Sequence, residues 1–228
     1  MSAPDSGSAP VVLITGAAGG LGRGLVRAFA AQRWRVVATY HRATPQTRTP
    51  TIWPLRLDVT RGDAIANVLE QVRREWQGVQ ALVNNAGVIA DAPVWQLPVA
   101  AWERVLDVNL RGAFLCCRAV LPFMVRQHEG QIINVASFSA RQGTRGQANY
   151  AAAKAGLIGL TLALAREGGP HNVRVNAVLP GALPTPMTGA INPARLAEFA
   201  HDNVLGRLSS LEEVARFTAF LARGTQGE

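Results

Sequence analysis

A short apolar run followed at once by a glycine-rich turn and an amphipathic helix constrains this chain more than any other feature. Residues 11–15 have the composition of a buried strand. Thr15-Gly16-Ala17-Ala18-Gly19-Gly20-Leu21-Gly22 leads from it into a helical pattern over residues 21–32, with Leu21, Leu25, Val26 and Phe29 apolar. Glycine lets a backbone turn sharply and approach another group closely. The helix start offers unpaired N–H groups and a positive potential, which suits an anion such as a pyrophosphate. The spacing is Gly-x-x-x-Gly-x-Gly rather than Gly-x-Gly-x-x-Gly. Its place after the first strand predicts a dinucleotide site built on Thr15, Gly16, Gly20, Leu21 and Gly22.

The alternation continues. Further strands are expected at residues 35–39, 51–57, 80–84, 131–136 and 172–178. Thr60 is read as the cap of a helix running to about Trp76, and Pro98 as the opening of a long helical region to about Gln127. A helix carrying Tyr150 and Lys154 runs to about Glu167. Ser209 and Glu212 read as a capping box for a last helix ending near Arg223. This pattern predicts an α/β chain with a doubly wound parallel sheet of Rossmann-like type. Residues 11–228 are read as one domain and residues 1–10 as a disordered tail. Residues 180–193, rich in Pro, Gly and Thr, follow a strand's carboxyl end and are read as a mobile lid.

The formal charge of +8 raises the question of nucleic acid. The arginines are scattered with no basic run, so an acidic partner or a phosphorylated cofactor is the better use of the charge. No apolar run approaches the ~20 residues of a membrane span, and the first ten residues do not resemble a signal peptide. The expected setting is cytoplasmic. Cys116 and Cys117 are adjacent, with neither disulfide geometry nor metal-ligand spacing, and read as buried hydrophobes. No metal site is expected.

Against this arginine-rich background stands a single lysine, Lys154, beside twenty-two arginines. It lies four residues after Tyr150, one of two tyrosines. Positions i and i+4 share a helix face, so phenol and ammonium are expected side by side. A neighbouring cation favours the phenolate, and the expected result is an acid/base group with a lowered pKa. The end of the second strand reads Thr39-Tyr40-His41-Arg42, without the acid that usually bonds ribose hydroxyls. Arg42, with His41 and Thr39 nearby, is the candidate for a 2′-phosphate. NADP(H) is therefore favoured over NAD(H).

Taken in order, these motifs, with Asn84-Asn85-Ala86-Gly87, Asn109, Ser137, Tyr150-x-x-x-Lys154 and Pro180-Gly181, resemble the short-chain dehydrogenase/reductase family from residue 11 to about residue 223. The stretch 146–159 is most similar to the 3-oxoacyl-[acyl-carrier-protein] reductases within it. The resemblance implies that Tyr150 donates a proton to a substrate carbonyl oxygen and that Ser137 fixes that oxygen. It implies that Lys154 holds the nicotinamide ribose and acidifies the tyrosine, and that Asn109 organises a proton path behind Lys154. Asp58, with Val59, would contact the adenine; a turn-forming role is the plainer reading of Asp58. Asn85, Ala86 and Gly87 would line the adenosine side. Pro180, Gly181 and Thr185 would cover the nicotinamide. The substrate would be a carbonyl compound, small or bound to an acidic acyl carrier protein, and the enzyme a homo-oligomer, dimer or tetramer. A sugar, steroid or other small alcohol is the alternative substrate, and a non-catalytic cofactor-binding regulator the alternative class. The family's usual seventh strand is absent from this sequence, which is read either as a shortened form of a longer chain or as a variant whose six-stranded sheet has an open edge.

Overall fold

The computed structural model describes residues 9–42, 47–185, 193–201 and 203–223. Among these residues six parallel strands form one sheet in the order β3-β2-β1-β4-β5-β6. They are β1 (Val11–Ile14), β2 (Arg35–Tyr40), β3 (Ile52–Arg56), β4 (Ala81–Asn84), β5 (Gly130–Val135) and β6 (Val173–Val178). The helices are α1 (Gly20–Ala31), α2 (Gly62–Trp76), α3 (Val99–Leu106), α4 (Gly112–Gln127), α5 (Ser139–Gln142), α6 (Ala148–Gly168), α7 (Pro193–His201) and α8 (Leu211–Ala222). The architecture is the expected α/β Rossmann-like one. Most of the tail and residues 186–192 of the expected lid lie outside the described residues.

Strand alternation explains why both sheet faces are covered. Side chains of a strand point to opposite faces in turn. Val11, Leu13, Val37, Leu82 and Ile132 therefore pack with Ile65, Val68 and Val72 of α2 and Val120 and Met124 of α4. Their neighbours Val12, Ile14, Val36, Val83 and Ile133 pack with Leu25, Val26 and Phe29 of α1 and Ala215 and Ala219 of α8. A strand buried on both faces reads as a continuous apolar run, which is why β1 is legible from sequence. Cys116 and Cys117 are free and buried, as expected, and burial pushes both thiols up to about 12.

Several local expectations are corrected. Thr60 does not cap α2; its hydroxyl donates to Asp58 Oδ1 at 2.7 Å, and Arg61 occupies the cap position. The capping box is formed by Ser210 and Glu213, not Ser209 and Glu212. The long helical region is broken by a π-helical turn, Asp107–Arg111, centred on Asn109. By length and composition Val99–Gln127 and Ala148–His171 are each apolar enough to cross a membrane, contrary to the sequence reading. Here α4 and α6 lie against the sheet and contribute Met124 and Leu157 to its buried interior.

The order reverses between β1 and β4, and such a switch point opens a crevice at the carboxyl ends of the strands. Gly16 turns there with φ +64°, and an added Cβ would sit 2.8 Å from Ala86 Cα. A Cβ at Gly22 would collide with the Gly16 carbonyl and lie 2.7 Å from Ala17 Cα. A helical Gly→Ala change ordinarily gains up to ~1 kcal/mol. At Gly22 the overlap is with backbone that cannot swing aside, so Gly22→Ala is expected to lower stability by roughly 2 kcal/mol or more. An unchanged urea midpoint would contradict this packing.

Candidate active site

The crevice is tied together from beneath. Thr15 is 1% exposed, and its hydroxyl accepts hydrogen bonds from the backbone N–H groups of Asn85 and Ala86, both at 3.0 Å. The Asn85 amide donates to the carbonyls of Thr15 and Gly16 at 3.0 and 3.1 Å. Thr39 is also 1% exposed; its hydroxyl donates to Ile14 O, and its carbonyl accepts from Ala17 N at 2.8 Å. Thr15, Thr39 and the Asn85 amide thus hold the glycine-rich turn against β2 and β4. A motif gives a residue's type but not the direction of its side chain. Val59 and Leu21 are likewise turned inward, Val59 against Gly112 and Leu21 into the α1 core.

Across the crevice, β5 and α6 bring the polar groups together. Lys154 is 3% exposed, and its Nζ donates to Val135 O at 2.6 Å. That ammonium lies 5.7 Å from the Tyr150 ring centroid, so the two side chains share one face as expected. The Ser137 hydroxyl acts on the Tyr150 phenol, pulling its pKa down, and accepts from Ser139 N at 3.2 Å. Phe138 N donates to Pro180 O at 3.0 Å, which pins the loop after β5 to the end of β6. Gly181 and Thr185 follow on that segment.

One electrostatic expectation is overturned. The Tyr150 phenol is held above its ordinary value, chiefly by burial; the Ser137 hydrogen bond pulls it down and the Asp91 charge pushes it up. Burial outweighs the neighbouring Lys154 ammonium, whose Nζ is turned to Val135 O. Burial also lowers the Lys154 ammonium itself to about 8. A phenol so placed keeps its proton throughout the neutral range, as a proton donor must.

Asn109, 1% exposed, clamps the loop after β4. Its Oδ1 accepts from Val88 N at 2.7 Å and its Nδ2 donates to Val88 O at 2.9 Å. A Cβ at Gly87 would fall 3.3 Å from Asn109 Oδ1 and 3.8 Å from Lys154 Nζ, so all three residues meet there. The Asn109 amide therefore ties the loop after β4 to the π-helical turn. Sequence reasoning missed Asn149, fully buried beside Tyr150. Its Nδ2 donates to Ala90 O at 3.0 Å and its Oδ1 accepts from Tyr150 N at 2.7 Å. A polar residue in the first turn of an otherwise apolar helix was the available signal.

At the outer end of the crevice, His41 and Arg42 are exposed at the end of β2. Asp58 Oδ1 accepts from the Thr60 N–H and hydroxyl, which is the turn-forming reading. Burial pushes the Asp58 carboxyl up, but the Thr60 hydrogen bonds, His41 and Arg61 outweigh it, and the net direction is down.

These groups fit a nicotinamide dinucleotide. The start of α1 has no capping side chain and no acidic residue in its first turn, so its N–H groups face the crevice uncompensated. The missing side chain at Gly87 keeps space beside Lys154 and Asn109.

The comparisons with known proteins agree. The family model described as short chain dehydrogenase matches residues 10–196. The 3-oxoacyl-[acyl-carrier-protein] reductase FabG of Thermotoga maritima is 39% identical over 221 residues, covering 93% of this chain and 89% of the relative. FabG of Escherichia coli K12 is 37% identical over 220 residues, with the same two coverages of 93% and 89%. The 3-oxoacyl-[acyl-carrier-protein] reductase of Synechocystis sp. is 35% identical, covering 94% of this chain and 90% of the relative.

Proposed function

The chain belongs to the short-chain dehydrogenase family and is an oxidoreductase, and from that premise we propose that it reduces a 3-oxoacyl thioester to the 3-hydroxy thioester with NADPH. The observation that carries this reading is the buried Lys154 ammonium one helical turn from Tyr150, 5.7 Å from its ring, with the Ser137 hydroxyl acting on the phenol. The likeness to reductases of 3-oxoacyl carrier-protein substrates supports the substrate class.

Bound in the crevice, the reduced nicotinamide supplies hydride to the carbonyl carbon. Tyr150 donates its proton to the carbonyl oxygen as negative charge develops there. Ser137 is the second donor to that oxygen, and two donors aimed at a developing oxyanion lower the barrier. Lys154 sets the positive potential behind the phenol and holds ribose hydroxyls. Asn109 keeps residues 87–88 against Lys154, and Asn149 fixes the first turn of α6. The α1 amino terminus takes the pyrophosphate, residues 85–87 line the adenosine side, and Pro180, Gly181 and Thr185 lie toward the nicotinamide. Arg42 with His41 takes the 2′-phosphate, and Asp58 the adenine side.

An open depression of about 280 Å³ lies beside α6, walled by Ala92, Pro93, Val94, Trp95 and the turn at Gly143–Gly146. Its apolar walls support an acyl group rather than a sugar. Arg126, exposed on α4 and stacked 4.6 Å over the Phe123 ring, belongs to the surface offered to an acidic carrier protein. Phe114 and Leu162, 44% and 62% exposed on α4 and α6, support assembly into a homo-oligomer. The cytoplasm is the corresponding setting.

The test is loss of nicotinamide absorbance with NADPH or NADH and a panel of 3-oxoacyl, sugar and steroid ketones. Turnover is expected with 3-oxoacyl thioesters and NADPH. The carrier-bound form should lose rate as salt rises from low to physiological strength, because surface charges separated by more than ~10 Å are then screened. A small thioester analogue should not. Turnover of a sugar or steroid ketone alone would refute the substrate assignment, and equal salt dependence would refute carrier docking.

A further inference from the structure

The ends of β2 and β3 bring an imidazole to a carboxylate beside the glycine-rich turn. His41 Nε2 lies 3.7 Å from Asp58 Oδ2, with the side chains 46% and 31% exposed. The other oxygen of Asp58 accepts from Thr60 N at 3.0 Å and Thr60 Oγ1 at 2.7 Å, so the carboxylate is fixed with its free oxygen toward His41. Arg42 follows directly and is exposed. Other charged groups lie close: Arg56 pairs in register with Tyr40, and Arg111 Nη1 donates to Thr60 O at 3.3 Å. Arg61 acts on Asp58 but forks onto Asp63 at 2.6 and 3.2 Å. Arg23, in the first turn of α1, donates to Ala18 O at 3.0 Å. Among the described residues, Asp58 is the carboxylate paired with His41 at this end of the crevice.

We infer that His41 and Asp58 form a proton-linked switch that sets the preference for a 2′-phosphorylated over an unphosphorylated adenine nucleotide. The inference rests on the proposed dinucleotide reading of the crevice and deepens it. A 2′-phosphate brought to His41 and Arg42 also comes near the fixed charge of Asp58. With a neutral imidazole, Asp58 and the phosphate repel, and Arg42 must offset both. With an imidazolium, Asp58 is balanced by His41 and the charge of Arg42 is left for the phosphate. A nucleotide without the phosphate brings no charge to this corner, and its ribose hydroxyls bond to either form of the ring.

The sign follows by linkage. A bound phosphate raises the proton affinity of His41. The added affinity is therefore greatest at low pH and is lost as pH rises and the ring gives up its proton. The second ionisation of a phosphate, near ~6, adds charge only at the low end of this range and acts in the opposite direction.

The experiment is calorimetric binding of 2′,5′-ADP and 5′-AMP to the full chain at about pH 6.5 and 8.5, each in two buffers of different ionisation enthalpy. The preference for 2′,5′-ADP is expected to fall about tenfold across that interval in the native protein. Its binding should take up a fraction of a proton in the neutral range, and 5′-AMP none. His41→Gln should show less than about twofold change and no uptake. Asp58→Asn, which can keep an acceptor for Thr60, should bind 2′,5′-ADP more tightly at the higher pH. An equal slope in His41→Gln, equal uptake for both nucleotides, or a preference independent of pH would overturn the switch. Failure of either nucleotide to bind would overturn the dinucleotide reading with it, whereas tight binding of both at a pH-independent ratio would overturn the switch alone. His41 is half exposed, and an unchanged urea midpoint for His41→Gln verifies that the fold is kept.

Discussion

Tyr150→Phe is expected to lower turnover of a 3-oxoacyl thioester by roughly 10²–10⁴-fold, the usual contribution of a positioned proton donor. The substitution removes one hydroxyl and keeps the ring. The Ser137 hydroxyl is half-buried rather than buried and keeps the bond it accepts from Ser139 N, so stability should change by about 1 kcal/mol or less. The glycine-rich turn and the α1 amino terminus lie across the crevice and are untouched, so nucleotide affinity should be nearly unchanged. Ser137→Ala tests the same bond from the other side and should cost less, because the phenol remains. Normal turnover in Tyr150→Phe, measured with saturating nucleotide, would refute the assignment of the proton donor.

Lys154→Met is expected to separate activity from stability. Activity should fall by two orders of magnitude or so, since a positive charge behind the phenol and a ribose ligand are lost together. Stability should move the other way near neutral pH. The ammonium is buried, and burial lowers it from the ordinary value near 10.5 to about 8. Between those values the unfolded chain binds more protons than the folded one, so the stability of the native protein rises with pH through this window. Below it the charged lysine costs the folded state roughly 3 kcal/mol. Methionine removes that cost but leaves Val135 O without its 2.6 Å partner, which returns about 1–3 kcal/mol. The net expectation is a variant at least as stable as the parent at pH 7 that has lost the parent's rise between about pH 8 and 10. Urea unfolding across that range checks it, and an identical rise in both proteins would contradict the burial of a charged lysine.

The sheet was legible because its central strands β1, β4 and β5 are buried on both faces and their apolar runs survive any register. The pair Tyr150 and Lys154 was legible because helical spacing alone puts them on one face. Orientation was not. Thr15 and Thr39 stand where motif logic expects ligand contacts, yet both hydroxyls bond to neighbouring backbone, a choice made by tertiary packing. The sign of the phenol's shift was missed for a related reason. Adjacency of a cation is visible in the sequence, whereas the depth of burial that outweighs it is not. The capping box slipped by one residue because two serines precede two glutamates, and only the helix axis decides which pair is in phase. Helix α7 was missed because the Pro-, Gly- and Thr-rich stretch before it reads as loop throughout.

The most direct measurement is an ultraviolet titration of the Tyr150 phenol in a Tyr40→Phe background, where it is the one remaining tyrosine. In the nucleotide-free protein the phenolate should form only above the ordinary ~10, and removing the Ser137 hydroxyl should push it higher still. A phenol that ionises at or below the ordinary value, or that ignores Ser137→Ala, would contradict a buried, serine-bound proton donor at the heart of this site.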